Sequence, residues 1–292
     1  MGAIPINKPM GITSFKLSDA VKKLFGEKKG GYVGTLDENA TGVLLVMVGV
    51  STKLIPYLKI SDKTYVATFE LGSTSTTYDK WGEVTEHGYD GSVSKEHIES
   101  IMSKFSGVID QIPPMYSAKK IDGKRLYKYA LEGKELPRKP SKIEIKSLVL
   151  DEYDQEKGFG KFTLRCSKGT YVRSLISDIG SEAGCGAIMT SLERVEDNGF
   201  DISECHSISD IEKCETLEKR QELLVKGLDL IKHIPEVEIV EKQTKKLLNG
   251  NPVQIHGKPA RTGIVRMVYN ESLFGLGKLV VSTGLLYPER LI

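Results

Sequence analysis

The chain has 292 residues, of which 39% are hydrophobic and 27% charged, and a net charge of +2. That length suits one large domain plus a small one, and the composition excludes a disordered or fibrous chain. The longest apolar run, Val43 to Val50, is far short of the roughly 20 residues of a membrane helix. The first residues lack the basic-then-apolar pattern of a secretory signal. The four cysteines (Cys166, Cys185, Cys205, Cys214) show no CxxC or zinc-ligand spacing. A cytoplasmic protein with reduced thiols is the expectation.

Taken in chain order, Phe15 to Leu24 sets apolar residues at Leu17, Val21 and Leu24, the spacing of an amphipathic helix, with Thr13-Ser14 as its cap. Val43 to Val50 reads as a buried strand. Lys63 to Leu71 alternates through Tyr65, Ala67, Phe69 and Leu71, a strand with one buried face. Gly72 to Gly82, rich in Ser, Thr and Gly, reads as loop. Ser94 to Phe105 and Arg125 to Glu132 read as helices, the second followed by a Pro137-Arg138-Lys139-Pro140 break. Ile143 to Leu150 and Gly160 to Cys166 alternate as strands. Tyr171 to Ala183 reads as a helix begun by the Gly169-Thr170 turn and stopped by Gly184. Ser207 to Leu230 reads as helices. Beyond Pro235, short strands at Val253 to Ile255, Gly263 to Tyr269, Leu273 to Leu276 and Lys278 to Val281 lie between Gly and Asn-Gly turns and predict a small β-barrel. Helices and strands mix without a regular βαβ cadence, so the predicted class is α+β.

The chemistry points to Gly31-Tyr32-Val33-Gly34-Thr35-Leu36-Asp37-Glu38-Asn39-Ala40-Thr41-Gly42. One carboxylate, Asp37, stands among three glycines, which allow close backbone approach or positive backbone angles. An acid in such a crevice is a candidate catalytic group. Four further blocks accompany it: Lys8-Pro9-Met10-Gly11-Ile12-Thr13-Ser14, Pro113-Pro114-Met115-Tyr116-Ser117-Ala118-Lys119-Lys120, Gly123-Lys124-Arg125-Leu126-Tyr127 and Gly169-Thr170-Tyr171-Val172-Arg173-Ser174-Leu175. By these five blocks, in this order, the chain resembles the TruB family of tRNA pseudouridine synthases.

The resemblance implies a pseudouridine synthase catalytic domain over residues 1–234, with a mixed, largely antiparallel sheet, and a PUA-like RNA-binding domain over 235–292. Within the first, about 110–146 would be a basic insertion that clasps RNA. From Tyr116 to Lys146 there are ten Lys/Arg against four Asp/Glu, interleaved with Tyr116, Tyr127 and Tyr129, a mixture suited to phosphate contact and base stacking. The implied activity is conversion of uridine to pseudouridine at position 55 in the T-loop of tRNA, after the base is flipped out. Asp37 would attack C1′ of the sugar or remove a sugar proton. Arg173 would hold that carboxylate in register, and Tyr65 would stack on the uracil and assist removal of the C5 proton. Lys8, Tyr32, Gly34, Thr35, Lys119, Lys120, Lys124, Arg125, Tyr171 and Leu192 are the implied RNA- or substrate-binding residues, with Lys8 chiefly supporting the pocket.

The reaction exchanges a C–N for a C–C bond without redox change, so no cofactor is expected. His87, His97, His206, His233 and His256 are scattered, so no metal site is expected either. The implied partner is the tRNA T-arm, with no membrane, no obligate protein partner and a monomer by default. Four positions depart from the family pattern: Tyr32 for the usual His, Glu38 for Pro, Thr76 for Asp and Glu193 for Arg. Tyr32 and Glu38 support one rival reading, a catalytically silent tRNA-binding or folding protein; a second rival, within the same class, is a guide-dependent synthase, against which the basic insertion weighs.

Overall fold

The computed structural model describes residues 2–59, 61–255 and 261–292, so His256 lies outside the described residues. The chain opens with strand β1 (Gly2–Lys8), helix α1 (Ser14–Leu24) and strands β2 (Gly30–Val33) and β3 (Thr41–Val48). Thr13 caps α1, its hydroxyl accepting from the Lys16 amide, as the Thr-Ser pair predicts. Strand β3 is apolar from Val43 to Val48 because both of its faces are covered there. Leu44, Val46 and Val48 pack with Ile4 and Ile6 against Leu17 and Val21 of α1. On the reverse face Leu45 and Met47 join Ala3, Leu54, Ile231, Ile234 and Leu276.

Next come β4 (Lys63–Leu71) and a short hairpin, β5 (Ser73–Ser75) with β6 (Val84–Glu86). The hairpin occupies part of the stretch expected to be plain loop, its strands too polar to show an alternating pattern. Helix α2 (Lys95–Ser103) begins at a Ser94 cap, and β7 (Gly107–Gln111) follows. The basic insertion holds a two-residue hairpin, β8 (Lys120–Ile121) and β9 (Lys124–Arg125), and helix α3 (Leu126–Ala130). Strands β10 (Ser141–Asp154) and β11 (Phe159–Cys166), helix α4 (Val172–Glu182) and strand β12 (Ala187–Asp197) complete the frame. Strand β13 (Phe200–Asp201), helices α5 (Ile208–Lys213) and α6 (Leu217–Glu222), strand β14 (Val225–Lys226) and helix α7 (Gly227–Leu230) then lead out of it.

The ten-stranded sheet runs β14-β1-β3-β12-β4-β11-β10-β7, with β2 added to β3 and β13 to β12. Every pairing in it is antiparallel except β3 with β12, which touch over only Glu193 with Thr41 and Arg194 with Gly42. This seam divides the sheet into two halves with separate cores. One is the α1 side described above. The other is built from Tyr65, Phe69, Phe162 and Leu164 under α2 and α4.

The C-terminal unit is a five-stranded half-barrel in the order β15 (Glu236–Glu238), β17 (Gly263–Tyr269), β18 (Ser272–Val280), β19 (Leu285–Leu291) and β16 (Val253–Gln254). It carries helix α8 (Glu241–Leu248). The two strands expected at Leu273–Leu276 and Lys278–Val281 are one strand, irregular in its pairing at Leu276/Gly277. Among the described residues no helix is long and apolar enough to cross a membrane.

Gly42 explains its place in the motif. It has φ +102°, and a Cβ there would fall 2.1 Å from the Arg194 carbonyl oxygen and 2.7 Å from its amide nitrogen. Only glycine lets the two halves meet at the seam. Gly42→Ala should therefore lower the unfolding free energy by about 2–4 kcal/mol, read as a fall in the urea midpoint. An unchanged midpoint would mean that the seam tolerates separation.

Candidate active site

Asp37 sits at the mouth of a cleft of about 250 Å³ beside the seam, lined also by Gly34, Thr35, Tyr65, Tyr171 and Leu192. Its side chain is 45% exposed. The loop beneath it is fastened from behind. Ser14 Oγ, in the first turn of α1, accepts from the Leu36 amide and donates to the Leu36 carbonyl, each at 2.9 Å. Lys8 Nζ donates to the carbonyls of Pro9, Ile12 and Glu38 at 2.9, 2.8 and 2.9 Å. The Gly11 amide donates to the same Glu38 carbonyl.

Lys8 supports the pocket wall and is not a free cation facing RNA. All three ammonium donors are spent, the residue is fully buried, and burial draws its pKa down to about 8. It braces one loop against another. Glu38 itself is exposed, and its backbone rather than its side chain is what the site uses.

Arg173, the second residue of α4, is buried. Its Nε donates to Asp37 Oδ2 at 2.8 Å, Nη1 to the Thr77 carbonyl at 2.8 Å and Nη2 to the Tyr116 carbonyl at 3.0 Å. Asp79 Oδ2 lies 3.7 Å from the same Nε, and Asp79 is oriented by the Thr77 hydroxyl and the Trp81 amide. Helix α4 has no side-chain cap of its own. Instead Gln111 grips the peptide of Tyr171, accepting from its amide at 2.8 Å and donating to its carbonyl at 2.9 Å. This aims the first turn, and Arg173 with it, at the cleft.

The far wall comes from two neighbouring strands. Tyr65 on β4 lies opposite Arg194 on β12; Lys63 and Leu192, two residues away on each strand, share that face. Burial raises the Tyr65 phenol to about 12. Asp197 accepts from Lys63 Nζ at 2.5 Å and lies 3.2 Å from Arg194 Nε. Arg194 also donates to the carbonyls of Val43 and Gly34 at 2.8 and 2.9 Å. Lys63, Asp197, Arg194 and Gln111 are site residues that the sequence reading passed over. The first three meet through strand register across more than a hundred residues, for which the sequence carries no local signal.

Asp37, Tyr65, Arg173, Gly34, Thr35, Tyr171 and Leu192 thus converge on one cleft. Tyr32 does not line it; it packs on the α1-side core. Lys119 is bound to Ser141 Oγ at 2.6 Å. Lys120 and Arg125 are exposed on the β8–β9 hairpin. Lys124 pairs with Glu132 and lies 4.4 Å over the Tyr129 ring. These cations belong to the insertion, away from the cleft lining.

Two family models match. One, described as TruB family pseudouridylate synthase (N terminal domain), covers residues 22–172; the other, described as Pseudouridine synthase II TruB, C-terminal, covers residues 235–292. The chain belongs to the TruB family. It is a pseudouridine synthase, an isomerase. The tRNA pseudouridine synthase B of Chromobacterium violaceum is 37% identical over 294 residues, covering 100% of this chain and 94% of that protein. The enzyme of the same name from Syntrophomonas wolfei is 40% identical over 265 residues, covering 89% and 87%. Among solved structures, a chain of a Cbf5-Nop10-Gar1 complex matches with a TM-score of 0.67 at 25% identity, covering 96% of this chain and 78% of that one.

The buried cluster behind it makes a stability prediction. Asp197→Asn leaves Lys63 and Arg194 facing each other without an anion, which should cost about 3–5 kcal/mol at pH 7. Desolvation, then Arg194, hold the folded Lys63 pKa below its ordinary 10.5. The unfolded chain therefore binds more protons in the alkaline range, and stability tied to this group rises with pH. Urea unfolding from pH 7 to about 9.5 should show the variant closing on the wild type. A gap that widens with pH would contradict the arrangement.

Proposed function

We propose that this TruB-family protein isomerises uridine to pseudouridine at position 55 in the T-loop of tRNA. The observation that carries the reading is Asp37, held at 2.8 Å by buried Arg173 yet open to a cleft sized for a nucleoside rather than a helix. A fixed, accessible carboxylate can attack C1′ or take a sugar proton, and then leave. The relatives that span nearly the whole chain are named tRNA pseudouridine synthase B, and the T-loop position follows from the resemblance of the motif blocks. Isomerisation exchanges no electrons with an outside group, so no cofactor is called for.

Tyr65 stacks on the target uracil. With its phenol raised to about 12, it stays neutral near pH 7 and serves as platform and hydrogen-bonding group rather than as a phenolate base. The target base begins stacked in a folded loop, and flipping it costs a few kcal/mol. Lys119, Lys120, Lys124 and Arg125 in the 110–146 insertion, with Tyr127 and Tyr129, supply phosphate and stacking contacts that offset it. The 235–292 unit adds a second RNA-contacting surface to the 1–234 catalytic domain.

The test is pseudouridine formation on an unmodified tRNA transcript. Wild type should form one pseudouridine in the T-loop, and Asp37→Asn should form none while binding tRNA within about threefold of wild type. Wild-type binding without product would instead establish a silent RNA-binding protein.

A further inference from the structure

Charge is unevenly placed along the cleft. In one cluster Arg173 lies between two carboxylates, Asp37 at 2.8 Å and Asp79 at 3.7 Å. In another, Asp197 lies between two cations, Lys63 at 2.5 Å and Arg194 at 3.2 Å. The formal charge is negative in the Asp37 cluster and positive in the Lys63 cluster, and both clusters contribute to the lining of the cleft. Arg194 is largely engaged with backbone carbonyls. The Lys63 ammonium carries three N–H bonds and, among the described residues, makes one hydrogen bond, to Asp197. It lines the cleft beside Gly34, where a Cβ would fall 2.5 Å from its Nζ.

The fold has no evident need of this second cation. Arg194 and Asp197 alone would form a balanced buried pair. Adding Lys63 introduces a desolvated ammonium repelled by Arg194, which holds its pKa below the ordinary value. A costly, incompletely paired charge facing a cleft marks a group retained for function.

We infer that Lys63 is a catalytic residue, the cation that stabilises uracil as it departs from the sugar. The inference rests on the role proposed for Asp37. When the C1′–N1 bond breaks, its electron pair stays on N1 and the base becomes a uracil anion. Asp37 loses its own charge in the same step, by bonding to C1′ or by taking the C2′ proton. Either route carries one negative charge from Asp37 to the base. When C5 bonds to C1′, the carboxylate is restored, by breaking of its ester bond or by return of the proton to C2′. C5 then loses its proton and N1 gains one. Lys63 forms no covalent bond; it offers a fixed positive charge where negative charge develops, in a site where such charge counts for more than in water.

The experiment compares wild type with Lys63→Met and Lys63→Gln in single turnover, on transcripts carrying uridine or 5-fluorouridine at the target. Loss of the parent nucleoside is followed after nuclease digestion. Fluorine makes the departing base anion more stable, so dependence on Lys63 should shrink. On uridine each variant should be slowed about 10²–10³-fold, with tRNA affinity within about threefold. On 5-fluorouridine the deficit should be at least about tenfold smaller, and Lys63→Arg should recover part of the uridine rate. The Gln variant keeps a donor for Asp197, so it provides the comparison if the Met variant fails to fold. Equal deficits on both substrates would make Lys63 purely structural and overturn the inference, as would a variant as fast as wild type. A wild type that turns over neither nucleoside would refute the Asp37 reading itself.

Discussion

The guanidinium of Arg173 is the constraint on which the rest of the site depends. It reaches Asp37, Thr77 and Tyr116, positions 136, 96 and 57 residues away in the chain. A buried guanidinium is tolerated only when its donors are satisfied and its charge is met. Its burial therefore fixes three loops at once: the Asp37 loop, the bend after β5 and the segment at Tyr116 in the basic insertion. An ammonium could not do the same, because it lacks the planar fork that sends separate donors to separate partners.

The seam between β3 and β12 supplies the opposing support. Only two residue pairs join the halves there, so the Asp37 loop would be loose if strand pairing alone held it. Arg194 reaches back across the seam to Val43 and Gly34, while Lys8 and Ser14 tie down Glu38 and Leu36. Two arginines from opposite walls and two anchors from behind leave Asp37 with little freedom except toward the cleft. That is preorganisation in the physical sense: the geometry is fixed before substrate arrives. The Asp37 carboxylate stays accessible while the groups that position it do not.

Much of this was legible in the sequence. The five motif blocks are largely the segments that meet around the seam, and each is short, local and built on glycine, proline or a cap. Helices α1, α2 and α4 and strand β4 followed from periodicity. Strand β12 was not read from Ala187–Asp197, although it carries Leu192 and Arg194. The Lys63–Asp197–Arg194 cluster depends on its register with β4, a non-local quantity. Helix α8 was missed because its buried face is a single residue, Leu247, too little to give an apolar stripe. Strand β18 was divided in two because Gly275 and Gly277 look like turn residues, whereas they sit where neighbouring backbone leaves no room for a Cβ. For Lys8 the sequence shows a cation beside the pocket but not the three carbonyls that consume its donors.

Arg173 holds Asp37 in line by the geometry of its fork and not by charge alone. Arg173→Lys keeps the charge and removes the fork, and the measurement is its single-turnover rate on tRNA. The expected result is a fall of about 10²-fold or more, with tRNA affinity and far-UV circular dichroism close to wild type. A rate within about threefold of wild type would show that a point charge suffices and that the fork is dispensable.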